Sequence, residues 1–245
     1  MKALYIISSW CYDLFANSLF VFNQSGGLCI MNIACMIDHT MLKPDATTET
    51  ILRYCDEAKK YGFHSVVVNT CHTALVANEL KNTGITTCCV VGFPLGAMMT
   101  SAKAFEASEA VKAGAGEIDM VINIGAIKDK NWNFVKNDIQ AVVEASKPSI
   151  VKVIIETCLL TDEEKVKACQ LSEEAGAVYV KTSTGFSTAG AKVNDVQLMR
   201  KSVSPKVHVK ASGGIHDPEF AKELMDAGAD RFGATSGIAI MNIPD

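Results

Sequence analysis

The sequence lacks an excess of basic residues, a low-complexity tract, and a linker rich in proline, glycine or serine. Its formal net charge is -4, so no positive field exists to attract a nucleic-acid backbone, and we expect no nucleic-acid partner. Without a linker, the 245 residues are read as one domain with one sizeable core. Hydrophobic residues make up 49% and charged residues 20%, as in soluble globular proteins.

Metal-ligand and disulfide patterns are also missing. The nine cysteines are odd in number and scattered, and several lie in apolar strand patterns, which favours reduced, buried thiols in a cytoplasmic protein. The adjacent Cys88 and Cys89 have no second pair or histidines at zinc spacing. No pair among the five histidines has metal spacing either, so we predict no metal site. We separately expect the protein to use no cofactor.

What is present is an alternation of strand-like and helix-like segments from residue 32 onward. The unit is about 25 to 30 residues long, the length of one strand and one helix. Eight units predict an α/β protein with a closed barrel of eight parallel strands. The alternative is an open doubly wound sheet, but no Gly-x-Gly-x-x-Gly turn follows the first strand. The predicted strands span 34–38, 65–69, 86–92, 117–123, 150–156, 178–181, 207–210 and 231–235.

Residues 1–31 precede this alternation and are apolar and aromatic. Asp13 interrupts the apolar run, no small-residue cleavage site follows, and the segment is too broken for a membrane span, so we expect no membrane partner. We interpret residues 1–31 as an extension outside the native domain, which would then comprise residues 32–245. A packed extra element and a targeting segment are the alternatives.

Several strands carry charged residues on one face, opposite an apolar face that must meet the helices. These charged faces should therefore converge on the barrel axis, where unpaired charges are costly. They could be internal ion pairs, but their position near the carboxyl ends of strands favours a reaction centre. The residues on these faces are Glu117, Asp119 and Asn123; Lys152 and Glu156; and Lys206, His208 and Lys210.

Two neighbouring strands end in a lysine. Lys181 follows Val178-Tyr-Val, and Lys210 follows Val207-His-Val. A lone lysine at a strand end is more often a solvated surface residue. Two lysines that face one interior, however, each raise the cost of charging the other, which predicts a neutral, nucleophilic amine.

Glycine turns follow the last strands. Gly213-Gly214 and the segment from Gly233 to Gly237 are predicted to open short helices, where backbone amides bind phosphate without a basic side chain. Barrels often bind a phosphate in these two loops, and Gly185 could add a third contact.

Five ordered motifs resemble the deoxyribose-phosphate aldolase family over residues 33–240. They are Ile37-Asp-His-Thr40 with Leu42-Lys-Pro44, Gly116 to Asn123, Val151 to Thr157, Val180 to Phe186, and Val209 to Ile215. The resemblance implies a metal-independent class I aldolase, a lyase of deoxyribose phosphate and nucleoside catabolism, on a single (β/α)8 TIM barrel with an N-terminal extension. It would reversibly cleave 2-deoxy-D-ribose 5-phosphate to D-glyceraldehyde 3-phosphate and acetaldehyde, as a homodimer or homotetramer.

The resemblance also implies residue roles. Lys181 would form the Schiff base, Lys210 would lower the pKa of that amine, and Asp119 would donate and accept protons through a water. Supporting residues, expected to order water and hold the lysines apart, are Asp38, Thr40, Lys152 and Glu156. The phosphate-binding candidates are Gly185, Gly213, Gly214, Gly233 and Ser236.

Two features depart from the family pattern. Phe186 stands where some relatives carry a basic residue beside the phosphate, so phosphate affinity is expected to be weaker or differently arranged. The chain ends at Asp245 without the tyrosine-ending tail of some members, so enamine protonation is expected to use Asp119 and water alone. A different phosphosugar barrel enzyme and a non-enzymatic sugar-phosphate sensor are the alternative functions.

Overall fold

The computed structural model describes residues 18–22 and 28–241, and its first described element is a pair of antiparallel strands. β1 (Ser18–Phe22) pairs antiparallel with β2 (Leu28–Asn32). The rest of the predicted extension, residues 1–17 and 23–27, lies outside the described residues, as do residues 242–245 at the carboxyl end. The interpretation of residues 1–31 and of the chain end therefore stays a prediction.

Eight parallel strands close into a barrel, as predicted. Their order around the barrel follows the chain, and the last strand pairs with both its predecessor and the first barrel strand. This closure excludes the open doubly wound sheet. The strands are β3 (Ile37–Met41), β4 (Ser65–Val68), β5 (Thr86–Val91), β6 (Glu117–Val121), β7 (Ile150–Ile154), β8 (Tyr179–Lys181), β9 (His208–Ser212) and β10 (Arg231–Ala234).

Helices connect successive strands, and their ends follow local sequence signals. Thr161 and Glu164 form a complete capping box at one helix start. Three helices end at an Ala-Gly-Ala sequence, and each places its glycine at a positive φ: 103° at Gly114, 90° at Gly176 and 109° at Gly228. The described helices are α1 (Thr48–Tyr61), α2 (Thr73–Glu79), α3 (Thr100–Lys112), α4 (Ile124–Lys128), α5 (Trp132–Ala145), α6 (Asp162–Glu174), α7 (Val193–Ser202) and α8 (Pro218–Asp226).

Several strand boundaries were predicted wrongly. The first strand was expected at 34–38, but Ile33–Met36 forms a 3-10 turn and the strand begins at Ile37. The fourth strand ends at Val121, because the Asn123 side chain accepts a hydrogen bond from the Ala126 amide and caps the unpredicted helix α4. The fifth strand ends at Ile154 rather than at residue 156.

The buried apolar side chains form two clusters, one inside the barrel and one between the barrel and its helices. Strand residues such as Val66 and Val68 join the large cluster between strands and helices. Their neighbour Val67 belongs to a small cluster with Leu42, Cys88 and Val90. Because successive side chains point to opposite faces, this small cluster lies inside the barrel. Among the described residues, no helix is long and apolar enough to cross a membrane.

Candidate active site

Neighbouring strands place the two lysines side by side. Lys181 on β8 is in register with Lys210 on β9, and the flanking pair Val180 and Val209 is fully buried in the outer cluster. Both lysines therefore face the interior, as predicted. Lys181 is the last residue of its strand, whereas β9 continues for two residues beyond Lys210, so that only one lysine lies at a strand end.

Asp119 on β6 is the common partner of three lysines. Its Oδ2 atom accepts hydrogen bonds from Lys181 Nζ at 2.7 Å and from Lys210 Nζ at 2.8 Å. Its Oδ1 atom accepts one from Lys152 Nζ at 2.8 Å and one from Cys88 Sγ at 3.2 Å. The two catalytic candidates thus share one carboxylate oxygen, and the other oxygen is held from the opposite side.

A second set of ion pairs lies beneath this carboxylate. Asp38 accepts hydrogen bonds from Lys210 Nζ at 2.5 Å and from Arg231 Nη1 at 3.0 Å. Glu117 pairs with Lys152, and Lys152 Nζ lies 3.6 Å from the Asp38 carboxylate. The charged faces predicted from strand alternation therefore converge at the axis, and the charges are paired.

Sequence reasoning did not single out Arg231, Ser65 or Cys88 as members of this network. Arg231 begins β10, and its Nη2 atom donates to the Tyr179 hydroxyl at 3.0 Å. Ser65 Oγ donates to Asp38 at 2.7 Å. Arg231 shares a strand face with Gly233 by alternation, which was the signal available to find it.

One lysine of this network is set apart electrostatically. Three carboxylates, on Asp38, Glu117 and Asp119, face four basic groups, on Lys152, Lys181, Lys210 and Arg231. If all were ionised, the interior would hold one surplus positive charge. That surplus disfavours the protonated form of whichever amine is least well paired.

The pKa shifts identify that amine as Lys181. Burial lowers the pKa of Lys181, the nearby Lys210 ammonium lowers it too, and Asp119 acts against both. Burial also acts to lower the pKa of Lys210, but Asp119 and Asp38 outweigh it and raise the pKa above its usual value. Burial acts to raise the pKa of Asp119, yet the three lysines hold it well below its usual range. Lys210 therefore stays an ammonium and Asp119 a carboxylate while Lys181 loses its proton more easily.

Acidic and imidazole groups also meet at this level, as a metal site would require. Atoms of Asp38, His64 and Glu117 lie within 4.8 Å of one another. His64 Nε2 is 3.0 Å from the Glu117 carboxylate. The ammonium of Lys152 and the guanidinium of Arg231 contact the same two carboxylates, so protein cations already neutralise this cluster.

Glu156 does not separate the lysines, contrary to expectation. It follows the end of β7 with a left-handed φ of 55°, and its carboxylate is buried. Thr184 contacts this carboxylate through its hydroxyl and through its amide, at 3.3 Å for the amide. The turn after Ile154 aims Glu156 at the loop that follows β8, so it holds that loop rather than an amine.

Three other expected side chains take different places. Lys206 precedes β9 and is exposed, because the strand begins two residues later. His208 is half-exposed, with Nδ1 3.3 Å from Asp230. The Thr40 hydroxyl donates a hydrogen bond to the Asp38 carbonyl of the same strand at 2.8 Å, and Thr40 lines the cavity. Among the described residues, Thr40 makes no hydrogen bond to a lysine.

A cavity of about 370 Å³ opens above Lys181, at the carboxyl ends of the strands. Four of the five phosphate candidates line it: Gly185, Gly213, Gly214 and Gly233. Ser236 is not among the lining residues, and its neighbour Thr235 takes that place. Lys43 and His216 are exposed residues of the lining that sequence reasoning did not single out as phosphate ligands.

The glycine loops differ from the predicted helix openings. Residues 235–240 form turns, and α8 begins only after its cap Asp217, three residues beyond Gly214. Gly213 and Gly214 have φ values of 84° and 76°, which a side chain would strain. A Cβ at Gly233 would lie 3.1 Å from Lys210 Cε, so this glycine also leaves room for the lysine.

An aromatic pair forms part of the rim. The Phe186 ring lines the cavity, is 52% exposed, and meets Phe93 edge-to-face with ring centroids 5.3 Å apart. The position beside the glycine loops therefore presents an apolar ring, and the rim has Lys43 and His216 as its basic side chains instead.

Comparisons with known proteins agree with this geometry. The family model described as DeoC/LacD family aldolase matches residues 32–242. Deoxyribose-phosphate aldolase of Clostridium novyi is 61% identical over 212 residues, covering 86% of this chain and 96% of that protein. The Finegoldia magna enzyme of the same name is 59% identical, covering 86% and 99%. The tetrameric deoxyribose phosphate aldolase of Aeropyrum pernix superposes with a TM-score of 0.80 at 33% identity, covering 85% of this chain and 89% of that one. The chain belongs to the DeoC/LacD family of aldolases.

Proposed function

We propose that the protein is a class I deoxyribose-phosphate aldolase, which reversibly cleaves 2-deoxy-D-ribose 5-phosphate to D-glyceraldehyde 3-phosphate and acetaldehyde through a Schiff base on Lys181. The observation that carries the proposal is the position of Lys181. Its buried amine lies at the base of a cavity lined by glycine loops and shares one Asp119 oxygen with the Lys210 ammonium. The relatives of that name, at 59% and 61% identity, support the same substrate.

The first steps use the neutral amine. Lys181 attacks the aldehyde carbon of the open-chain sugar, and loss of water gives a protonated imine. An ordinary lysine, with a pKa near about 10.4, is almost entirely protonated at neutral pH. The lowered pKa of Lys181, caused by burial and by the Lys210 ammonium, makes the attacking form available.

Bond cleavage then needs a base and an acid. Asp119 Oδ2 accepts the proton of the C3 hydroxyl, directly or through a water, as the C2–C3 electron pair moves into the imine. This releases D-glyceraldehyde 3-phosphate and leaves an enamine. The same oxygen returns the proton to C2 of the enamine, and hydrolysis of the new imine frees acetaldehyde and Lys181. Lys210 lies on this oxygen and stabilises the charge that comes and goes there.

The phosphate end is assigned to the glycine loops. The loop amides around Gly185, Gly213 and Gly214 provide donors that require no side chain. Lys43 supplies the positive charge at this rim, and His216 can add a further donor. Glu156 holds Thr184, and with it the loop that carries Gly185, in place.

Trapping of the imine tests this proposal. Borohydride is added to the enzyme in the presence of acetaldehyde, and the reduced adduct is located by peptide mass mapping. We expect a single ethyl adduct on Lys181, no adduct in Lys181→Met, and an unchanged adduct in Lys206→Met, which replaces an exposed lysine near the same sheet. Cleavage by Lys181→Met should fall by at least about 10³-fold, as for loss of a covalent nucleophile.

The alternatives give different results. Tight binding of phosphosugars without any adduct would indicate a sensor. An adduct with the phosphosugar but not with acetaldehyde would indicate another barrel enzyme using the same lysine. Full cleavage activity in Lys181→Met would contradict the assignment of the nucleophile.

We also propose that the protein forms a homodimer or homotetramer in the cytoplasm. Leu95, Met99 and Phe105 expose 68%, 75% and 67% of their surface, which favours burial against a second copy. The seven cysteines in the described part of the chain are free, as in a reducing compartment. Light scattering on the purified protein tests the assembly: a monomer at micromolar concentration would contradict it.

A further inference from the structure

Cys88 is the only uncharged side chain that contacts the catalytic carboxylate among the hydrogen bonds of the described residues. It lies on β5, is fully buried, and belongs to the apolar cluster inside the barrel. Its Sγ atom is 3.2 Å from Asp119 Oδ1, and Lys152 Nζ donates to the same sulfur at 3.4 Å. The thiol takes no part in the reaction steps proposed above.

The sulfur carries a proton. Burial raises the pKa of Cys88 well above its usual value, and the Asp119 charge raises it further, while Lys152 and Lys210 oppose the shift less strongly. The S–H group is therefore a donor, and the oxygen within its reach is Asp119 Oδ1. The sulfur in turn accepts a hydrogen bond from Lys152 Nζ, so the thiol acts as both donor and acceptor.

The two oxygens of Asp119 consequently have different surroundings. Oδ1 is held by Cys88 and Lys152, neither of which has been assigned to the reacting atoms. Oδ2 is held by Lys181 and Lys210. The terminal torsion of an aspartate is broad and roughly two-fold, so packing alone does not determine which oxygen faces the amines.

We propose that Cys88 is a positioning residue for proton transfer: its thiol holds Asp119 Oδ1 so that Oδ2 alone exchanges the proton with the substrate. The proposal rests on the Lys181 imine and the Asp119 role given above. The proton taken from the C3 hydroxyl resides on Oδ2 and moves to C2 of the enamine as the nitrogen lone pair re-forms the imine. No electrons leave the substrate, and the thiol keeps its own proton throughout.

This role predicts that two steps respond differently to loss of the thiol. Attack of the Lys181 amine on an aldehyde requires a neutral lysine and depends little on carboxylate orientation. Protonation of the enamine depends on the placement of one oxygen, and an ångström of misplacement costs a large factor in rate. Exchange of the acetaldehyde methyl hydrogens with solvent reports the second step, and borohydride trapping reports the first.

The adjacent cysteine offers a matched control. Cys89 is also fully buried but faces the helices, with its sulfur 3.5 Å from the Val90 carbonyl. Cys88→Ala and Cys89→Ala each remove one buried thiol at neighbouring positions of the same strand. Cys88→Ser keeps a donor at the same place, and Cys88→Val fills the space without a donor if the alanine variant does not fold.

The experiment compares deuterium exchange into acetaldehyde, followed by NMR in D₂O, with the rate of borohydride trapping on Lys181. We expect Cys88→Ala to slow exchange by about 10 to 100-fold while trapping changes by less than about 3-fold, as for loss of a positioning hydrogen bond. Cys88→Ser should retain exchange within about 3-fold of wild type, and Cys89→Ala should change neither rate.

Wild-type exchange in Cys88→Ala or its valine substitute would overturn the proposal. So would an equal loss of exchange and trapping in the Cys88 and Cys89 variants, since that pattern reflects packing alone. A wild-type enzyme that forms no adduct on Lys181 would instead refute the proposed function, which separates the two failures.

Discussion

The Lys181 amine lies between one carboxylate and one ammonium, and its proton affinity depends on their balance. Asp119 favours the charged amine, whereas burial and Lys210 disfavour it. Sequence alternation placed both lysines and Asp119 on inward faces. It could not show that Lys210 is itself held charged by Asp38, because that contact joins residues 172 positions apart.

Replacing Lys210 should therefore move the pH dependence of imine formation. In Lys210→Met the neighbouring positive charge is gone, and Asp119 is shared by fewer cations, so both changes raise the pKa of Lys181. Since the neutral amine attacks, the rate of borohydride trapping rises with pH through this pKa. We expect the rising limb to shift to higher pH in Lys210→Met, measured as trapping rate against pH.

Lys206→Met serves as the control, because that lysine is exposed and lies outside the ionic network. A limb that stays in place or shifts to lower pH in Lys210→Met would show that Lys210 does not lower the proton affinity of Lys181.

A single exposed lysine should set phosphate affinity. Lys43 lines the cavity beside the glycine loops, where Phe186 presents an apolar ring. A charge-assisted hydrogen bond contributes about 1.5 to 3 kcal/mol, so Lys43→Met should raise KM for 2-deoxy-D-ribose 5-phosphate by about 10 to 100-fold. Steady-state kinetics with unphosphorylated 2-deoxy-D-ribose should show no such rise, and an equal rise for both sugars would rule out a phosphate contact.

At the scale of elements, helix ends were easier to predict than strand ends. The capping box at Thr161 and the glycine at Gly176 are local signals, and together they mark both ends of α6. Strand alternation continues through Asn123 and Glu156, although the chain leaves the sheet before both. Asn123 leaves the sheet through a local contact, because its side chain caps α4 at the Ala126 amide, whereas Glu156 is turned by a contact with Thr184, 28 positions away in the sequence.

The contact between Glu156 and Thr184 joins the ends of two neighbouring strands. Glu156→Ala removes both acceptors of Thr184, so the loop with Gly185 should loosen and KM for the phosphorylated substrate should rise by about 10-fold, as for a lost buried hydrogen bond. Imine trapping with acetaldehyde should be unchanged, since Glu156 has no lysine contact among the described ion pairs. Glu156→Gln keeps an acceptor and should lie near wild type. A trapping defect in Glu156→Ala would show that Glu156 acts on the lysines after all.

At the scale of the whole molecule, the charged groups inside the barrel form the active site and also lower the stability of the fold. Barrel interiors are usually filled with branched apolar side chains. Here the interior holds three carboxylates and four basic groups, and the apolar part is the small cluster around Val67 and Cys88. Composition and net charge carried no sign of this arrangement, because the excess positive charge is confined to a few buried positions.

Removing Lys181 should therefore stabilise the fold. In Lys181→Met three carboxylates face three cations, and Asp119 keeps Lys152 on one oxygen and Lys210 on the other. We expect the free energy of unfolding at neutral pH, measured by urea denaturation, to rise by about 1 to 3 kcal/mol, as when buried charges are replaced by apolar groups of similar size.

The extra stability of Lys181→Met should depend on pH, because folding lowers the pKa of Lys181. Its pKa is lower in the folded state than in the unfolded state, where it is about 10.4, so between the two values the unfolded chain binds more protons. The stability of wild type relative to Lys181→Met therefore rises with pH in this window. The stabilisation of the variant should be largest below the folded pKa and vanish as the pH approaches about 10.4. Lys206→Met, at an exposed position, should show no such trend. A Lys181→Met protein that is less stable than wild type at neutral pH would mean that the interior is balanced only with Lys181 charged, and the neutral nucleophile would lose its electrostatic basis.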